Sequence, residues 1–202
     1  MSTTVESRLG ALVARRFQSS IEGSERFFAA NASAISETCV AMAARFERGG
    51  RLLVFGVGAD ATDAHHVAVE FAHPVIVGKR ALPAIALTSD VASMTGARRG
   101  SLAAMIRTLG RADDIALGIA CGPASGSVSA AVTHARAAGM LVIEIERDGG
   151  PIEIVARGPH HFRVPGPDAM VAQEVSETLY HVLWELVHLF LDHGVSSPAV
   201  IP

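Results

Sequence analysis

Four side chains on two predicted helices have the chemistry for proton transfer or metal binding. His66 and Glu70 are four residues apart in a segment with helical spacing, so their side chains share one helix face. Gln173 and His181 are eight residues apart and share a face of a second predicted helix. Imidazole and carboxylate groups suit proton transfer at neutral pH, and both bind zinc. A His–Glu pair at this spacing is also common as a solvated surface pair, so the spacing alone leaves both interpretations open.

The elements that would hold these side chains alternate between strands and helices. Short apolar runs predict five buried strands, at 51–56, 83–88, 114–119, 140–145 and, more weakly, 161–165. Helical patterns cover about 60–72, 91–109 and 125–138, and a long C-terminal helix is predicted at about 168–192. This alternation predicts an α/β fold in three layers, a doubly wound parallel five-stranded sheet with helices on both faces.

Two further helices are predicted ahead of the sheet. They cover about Val5 to Phe17 and about Ser24 to Phe46, with Ser24 as a candidate N-cap, and Gly49-Gly50 ends the second. We expect residues 1–202 to form a single domain, with an N-terminal helical part at 1–48 and an α/β core at 49–193.

The composition favours a cytoplasmic protein that forms oligomers. Half of the residues are apolar and 18% are charged, against about 25% in typical domains. A thin charged surface suggests that part of it is buried between subunits. The net charge of −3 gives no electrostatic reason to expect nucleic acid or an anionic membrane as a partner.

Targeting and redox signals are weak. Cys39 and Cys121 lie far apart and form no CxxC motif, so a disulfide framework is not indicated. The first residues lack a basic region followed by an apolar run, which argues against a secretory signal. No run of about 18 uninterrupted apolar residues occurs, so we expect no transmembrane helix.

The segments after the predicted strands are the expected ligand-binding loops. Ligands of open parallel sheets bind beyond the carboxyl ends of the strands, here after Phe55, Leu87 and Ile119. Residues 56–60, Gly-Val-Gly-Ala-Asp, join a strand to a helix, where backbone amides can approach an anion. The loop is not a Walker motif, and Ala61 breaks the dinucleotide-binding spacing.

In order and spacing these motifs resemble the sugar isomerase (SIS) family, in its phosphoheptose isomerase branch. The resemblance runs from about Gly49 to Val187 and rests on four stretches: GGRLLVFGVGADATDAHHVAVEFA, LPAIALTSD, GRADDIALGIACGPASGSVSAAVTHARAAGMLVIEIERDGG and VAQEVSETLYHVLWELV. It implies the SIS fold and a homotetramer assembled through the N-terminal helices.

The resemblance also implies an activity and a site. It implies aldose–ketose isomerisation of a sugar or sugar phosphate through an enediol, with Glu70 as base and His181 as acid. Some family members hold a zinc ion, and their ligands match His66, Glu70, Gln173 and His181. Such a divalent metal would stabilise the enediolate. The substrate-binding positions that carry over are Gly56, Val57, Gly58, Asp60, Asp90, Cys121, Ser125 and Gln173.

The phosphate-binding loops depart from the family pattern. Val57 and Asp60 stand where the family has an asparagine and a phosphate-binding serine. Residues 120–125 replace a hydroxyl-rich loop, of which only Ser125 keeps its hydroxyl, and the segment after Thr95 is shortened. A carboxylate at about 4 Å from a phosphate repels it by about 1 kcal/mol in water and by several in a shielded site. We therefore expect weak binding of phosphosugars and an altered substrate.

Each of several neighbouring residues has two possible interpretations, as a functional residue of the site or as a structural residue. Asp63 would orient His66 or lie on the helix surface, and Glu177 would act as a ligand or base or lie at a subunit contact. His65, His73 and His188 are structural or exposed unless one is a ligand, and Tyr180 and Trp184 are most simply packing residues. Cys121 would contact the ligand or be a small buried thiol. Asp90 matches a position of the family's ligand pocket. The last set fits a displaced anion site or a solvated basic patch: Arg98, Arg99 and Arg107.

Two other classes of function remain open. One is a non-catalytic SIS protein that binds a metal or a sugar derivative. The other is an interaction module, like the SIS homologue that binds the bacterial replication initiator. That homologue lacks both the catalytic glutamate and the second histidine, whereas this chain has Glu70 and His181.

Overall fold

The computed structural model describes residues 2–88, 101–120, 125–147, 159–164 and 169–194, with the backbone alone for residues 2–6, 101 and 125. The strands within these ranges are β1 Leu52–Phe55, β2 Ala84–Ala86, β3 Ile115–Ala120, β4 Leu141–Arg147 and β5 His161–Val164. The helices are α1 Ser2–Glu47, α2 Ala59–Ala72, α3 Ser101–Leu109, α4 Ser125–Ala137 and α5 Ala169–His193.

The five strands form one parallel sheet in the order β2-β1-β3-β4-β5, which confirms the predicted architecture. Every residue of β3 and of β4 is buried, as expected for a parallel sheet covered on both faces. The chain leaves β1 toward β2 and returns to β3 on the opposite side of β1. This reversal opens a crevice beyond the carboxyl ends of β1 and β3, where ligands of such sheets bind.

Two hydrophobic clusters lie on the two faces of the sheet. On one face, Val54, Leu117 and Ile143 pack with residues of α1, α2 and α5. On the other face, residues of α3 and α4 pack against Phe55 and Val142. The alternation of side chains along each strand separates the two clusters and gives the three layers.

The N-terminal helical part is one continuous helix, so the prediction of two helices with Ser24 as a cap was wrong. The amide of Gln18 donates to Glu22 at 3.0 Å across the expected break, and the Arg26 side chain donates to the Glu22 carbonyl. Gly23 marks a close helix contact rather than an end, because a Cβ there would lie 3.1 Å from Val171 of α5. The predicted stop at Gly49-Gly50 is confirmed, since α1 ends at Glu47 and Gly49 has φ +82°.

Among the described residues, one helix is long and apolar enough to cross a membrane by length and composition alone. It is Ser7–Glu47, with a window of mean hydropathy 1.2. The core helix of a soluble protein passes the same test. Here the second half of the helix is part of the core, where Phe27, Ile35, Met42 and Phe46 are buried.

Candidate active site

Glu70 lies between two histidines that come from different helices. Its Oε1 is 3.1 Å from Nε2 of His66, one turn away on α2. The same oxygen is 2.9 Å from Nε2 of His181, which α5 presents. The two imidazole rings are 5.6 Å apart between centroids and meet edge to face. The packing of α5 beside α2 therefore brings together three of the four residues singled out by their spacing.

This cluster of three has the chemistry of a proton-transfer or metal site. The His181 side chain is 56% exposed and that of Glu70 is 19% exposed, so the cluster opens to solvent from the side of α5. Glu70 Oε2 is buried and has no hydrogen-bond partner in the described part of the chain. A buried carboxylate oxygen in that state is unusual and points to a ligand or an ion. One ligand atom from each of the three residues lies within 4.8 Å of the others, which suits a single ion.

Gln173, the fourth residue, is held by carboxylates. Its amide nitrogen donates to Asp63 Oδ1 at 2.8 Å and to Glu177 Oε1 at 3.1 Å. The amide carbonyl oxygen is then the atom of this side chain left to act as a ligand. Glu177, which lies between Gln173 and His181 on α5, thus serves to orient the glutamine.

Asp63 is buried and is the centre of a polar network with Gln173, Tyr180 and Arg147. The hydroxyl of Tyr180 donates to Asp63 Oδ2 at 3.3 Å, and Arg147 Nη1 lies 3.0 Å from the same oxygen. Burial, reinforced by the charge of Asp63, raises the pKa of Tyr180, so its hydroxyl stays protonated. The ring of Tyr180 also contacts His66 edge to face, which connects this network to the cluster of three.

Arg147 is a residue of the site that the sequence patterns did not single out. It ends β4, its side chain is 5% exposed, and it pairs with both Asp60 and Asp63. Burial alone would lower the pKa of Arg147, but the nearby charges outweigh this and raise the pKa, so the side chain remains a cation. The available signal was a set of charged residues within an otherwise apolar strand, Glu144, Glu146 and Arg147.

Asp60 has a partner that the sequence did not indicate. Its expected repulsion of a phosphate was reasoned from its position in the loop after β1. The structure shows its carboxylate buried, 1% exposed, in the first turn of α2 and paired with Arg147. The physical reason is that a buried carboxylate requires a partner, and β4 ends next to the start of α2.

The loop from Gly56 to Gly58 follows β1 as predicted. A Cβ at Gly56 would lie 2.6 Å from the carbonyl oxygen of Asp60, so only glycine allows the first turn of α2 to pack here. Gly58 has φ +63°, a conformation that side chains rarely adopt. Asp90 and Cys121 lie outside the described residues, as do Arg98 and Arg99. Ser125 is the first residue of α4, and its side chain is also outside them.

A cavity of about 290 Å³ opens beside the cluster. Its lining residues are Glu70, Val75, Ile76, His181, Trp184 and Glu185. Trp184, expected to be a packing residue, thus also lines the cavity, and its indole N–H is buried with no partner in the described part of the chain.

The other histidines near the site are structural or exposed. His188 is buried and lies within hydrogen-bond distance of the carbonyls of Trp184 and Arg80. His65 and His73 are exposed. Arg107 lies 3.0 Å from His134 on the face covered by α3 and α4.

Comparisons with known proteins agree with this architecture. The family model described as "SIS domain" matches residues 17–146. The phosphoheptose isomerase of Thermodesulfovibrio yellowstonii is 33% identical over 180 residues, covering 87% of this chain and 89% of the relative. That of Desulfovibrio desulfuricans is 34% identical over 180 residues, covering 87% and 85%.

Solved structures give the same assignment. The phosphoheptose isomerase of Neisseria gonorrhoeae superposes with a TM-score of 0.76 at 27% identity, covering 89% of this chain and 98% of that one. The enzyme of Francisella tularensis has a TM-score of 0.76 at 29% identity, covering 89% and 97%. The chain therefore belongs to the SIS domain family and resembles its phosphoheptose isomerases in both sequence and fold.

Proposed function

We propose that this chain is an aldose–ketose isomerase that acts on a sugar or sugar phosphate through an enediol. One observation carries the proposal: Glu70 Oε1 lies 2.9 Å from His181 Nε2, across two helices that pack on the same face of the sheet. The relatives named above are phosphoheptose isomerases, which supports the same reaction class.

The two groups have complementary tasks. Glu70 removes the proton from the carbon beside the carbonyl, while protonated His181 gives a proton to the carbonyl oxygen. The product of this step is the enediol. Glu70 then returns its proton to the former carbonyl carbon. Neutral His181 takes the proton from the hydroxyl on the carbon that Glu70 first deprotonated. The second step produces the isomeric carbonyl and restores both side chains, so no net proton is gained or lost.

We further propose that the site holds one zinc ion. His66, Glu70 and His181 offer two imidazole nitrogens and one carboxylate oxygen within 4.8 Å of one another, and the carbonyl of Gln173 is the fourth candidate ligand. Three such ligands with an open position are typical of catalytic zinc. The bound ion would supply positive charge for the oxygens of the enediolate. It would take over the task that the His181 proton performs when no ion is bound, because an imidazole that binds a metal is neutral. The partnerless Glu70 Oε2 supports a ligand at this place.

We propose a homo-oligomer, a tetramer as the resemblance implies, in the cytoplasm. The support is on α1, whose first half exposes a stripe of apolar side chains: Leu9, Leu12, Val13, Phe17 and Ile21. Phe17 is 69% exposed and Val13 is 68% exposed. Such a stripe is stable in water when a second copy covers it.

A non-catalytic SIS protein that binds a sugar derivative is the second candidate. The observation that favours it is the Asp60–Arg147 pair, which fills the start of α2 with the chain's own charges. An enzyme and a binder differ in whether they exchange carbon-bound protons.

The deciding experiment follows proton exchange in heavy water. The protein, depleted of metal and then supplied with zinc, is incubated with a panel of aldoses, ketoses and their phosphate esters, and NMR follows deuterium at the carbon beside the carbonyl. We expect deuterium incorporation and conversion for at least one sugar. Binding of a sugar without exchange for any member would assign the chain to the second candidate.

A further inference from the structure

The Gln173 amide has two different ends, and its neighbours decide which end a ligand can use. The carbonyl oxygen accepts hydrogen bonds or binds a metal, whereas the NH2 group only donates. Two carboxylate oxygens contact the nitrogen, Asp63 Oδ1 at 2.8 Å and Glu177 Oε1 at 3.1 Å. Ionised carboxylates accept and do not donate, so both contacts require the NH2 group at this position. The carbonyl oxygen is thereby left for a ligand.

Asp63 is itself held in one orientation. The residue is 6% exposed. Its Oδ2 accepts from the Tyr180 hydroxyl at 3.3 Å and lies 3.0 Å from Nη1 of Arg147. A guanidinium has donors only, so Arg147 requires an oxygen at this end of the Asp63 side chain. The other oxygen, Oδ1, is the one that receives the Gln173 amide.

The contact between Asp63 and Gln173 connects the two helices of the site. Asp63 is on α2, three residues before His66 and seven before Glu70, and these spacings put the three residues on one helix face. Glu177 is half-buried and lies one turn from Gln173 on the same helix, α5. Glu177 therefore supports the orientation of the amide, whereas Asp63 fixes it relative to the helix that carries His66 and Glu70.

We propose that Asp63 is a positioning residue that fixes the Gln173 amide with its carbonyl oxygen available to a zinc ion, and that position 173 therefore requires a neutral amide. The zinc in this statement rests on the proposed function, whereas the fixed amide does not. Glutamate is a regular zinc ligand. At position 173, however, a glutamate would place a carboxylate oxygen against both Asp63 and Glu177, so we expect it to weaken zinc binding.

The first test exchanges donor and acceptor between positions 63 and 173. In Asp63→Asn the oxygen stays with Arg147, so the new NH2 group faces the Gln173 amide and turns it round. We expect the dissociation constant for zinc, measured by competition with a chelator, to rise by about 10- to 100-fold, the usual effect of losing an outer partner of a metal ligand. Gln173→Glu should also weaken zinc binding. The double variant should bind zinc more tightly than either single variant, because the new asparagine donates to the new glutamate.

The control for this test is Asp114→Asn. Asp114 is a buried aspartate that pairs with Arg51 at the start of the sheet, so its loss tests whether destabilisation alone weakens zinc binding. The control should bind zinc as the wild type does. Tighter zinc binding by Gln173→Glu than by the wild type would overturn the proposal, as would a double variant that binds no better than the single variants.

The second test needs no metal, so it still decides the fixed amide if the wild type binds no zinc, a result that would count against the proposed zinc site. Urea unfolding of the metal-free protein gives the stability of the wild type, Asp63→Asn, Gln173→Glu and the double variant. We expect the double variant to lose less stability than the sum of the two single losses, because its exchanged pair is restored. Additive losses would overturn the proposal.

The third test uses the wild type, so it is independent of how the variants fold. The chain has two glutamines, Gln18 and Gln173, so their side-chain amides are readily told apart by nitrogen-15 NMR. The Gln18 amide is exposed and donates to one carboxylate, that of Glu22. We expect the Gln173 amide hydrogens to exchange with solvent at least about tenfold more slowly, because one more hydrogen bond to a charged group must open first. Equal exchange rates for the two glutamines would overturn the proposal.

Discussion

His181 Nε2 lies 2.9 Å from Glu70 Oε1, and this contact joins α5 to α2. Glu70 also contacts His66 through the same oxygen, at 3.1 Å. Both imidazoles therefore converge on one carboxylate whose other oxygen has no partner in the described residues. The arrangement makes Glu70 the residue whose charge matters most to the site.

Replacing Glu70 by Gln keeps the shape of the side chain and removes its charge. We expect kcat for isomerisation to fall by about 10²- to 10⁴-fold, the usual contribution of a general base, with an unchanged circular dichroism spectrum. Deuterium exchange at the carbon beside the carbonyl is the measurement. Glu47→Gln, at the exposed end of α1, is the matched control and should retain full activity. An active Glu70→Gln enzyme would remove Glu70 from the role of base.

Zinc content provides a test that does not depend on turnover. Elemental analysis of the purified wild type should give about one zinc per chain. His181→Asn should lose most of it, because one imidazole and one carboxylate would then remain beside the weakly binding amide oxygen of Gln173. His65→Asn is the control, since that exposed histidine is on the same helix as His66 but outside the cluster. Equal zinc in wild type and His181→Asn would place the metal elsewhere or exclude it from this site.

The exposed stripe on α1 predicts a change in assembly. Phe17→Asp puts a charge at a side chain that is 69% exposed, so the subunit itself should fold normally. In an oligomer the same charge would be buried without a partner and would destabilise the interface. Light scattering should therefore give a tetramer for the wild type and a smaller species for Phe17→Asp. Glu25→Asp, a charge-conserving change on the same helix, serves as control. A monomeric wild type at micromolar concentration would contradict the assembly.

A partly buried ion pair joins Arg51, at the start of the sheet, to Asp114 in the loop before β3. Arg51 Nη2 lies 2.7 Å from Asp114 Oδ2, and Asp114 also accepts from the amides of Arg51 and Arg111. We expect Asp114→Asn to lower the free energy of unfolding by about 2 kcal/mol, because hydrogen bonds to a charged group are lost. Asp113→Asn is the control, since its pair with Arg48 is half exposed, and it should cost less than about 1 kcal/mol. Urea unfolding measures both, and similar losses would refute this account.

The same aspartate predicts how stability changes in acid. Burial alone would raise the pKa of Asp114, but the hydrogen bonds from Arg51 and Arg111 outweigh it and the pKa is lowered. A lowered native pKa means that the contribution of Asp114 is present above the unfolded pKa, about 3.9, and is lost as pH falls through the native value. As the pH is lowered from about 5 to about 3, the free energy of unfolding should therefore fall less steeply in Asp114→Asn than in the wild type. Parallel slopes for the two proteins would contradict the prediction.

Local pattern was enough to predict the sheet and half of the site. The apolar runs at 114–119 and 140–145 were predicted as buried strands, because both faces of a parallel sheet are covered, and they match β3 Ile115–Ala120 and β4 Leu141–Arg147. His66 and Glu70 share a helix face by spacing alone, and the structure places them 3.1 Å apart. The register of α5 relative to α2, and with it the place of His181, came from a family resemblance.

What local pattern could not supply are the contacts between distant segments. The segment between Phe17 and Ser24 was predicted to separate two helices, yet α1 continues through it, and its Gly23 lies where α1 packs closely on Val171 of α5. Asp60 reads as a bare charge in a ligand loop until the end of β4 brings Arg147 to it. The sequence by itself determined which segments are strands and helices and which residues share a face, because these follow from the period of each element. Only the tertiary structure decided which buried charges meet, because a buried charge takes its partner from whichever element packs beside it.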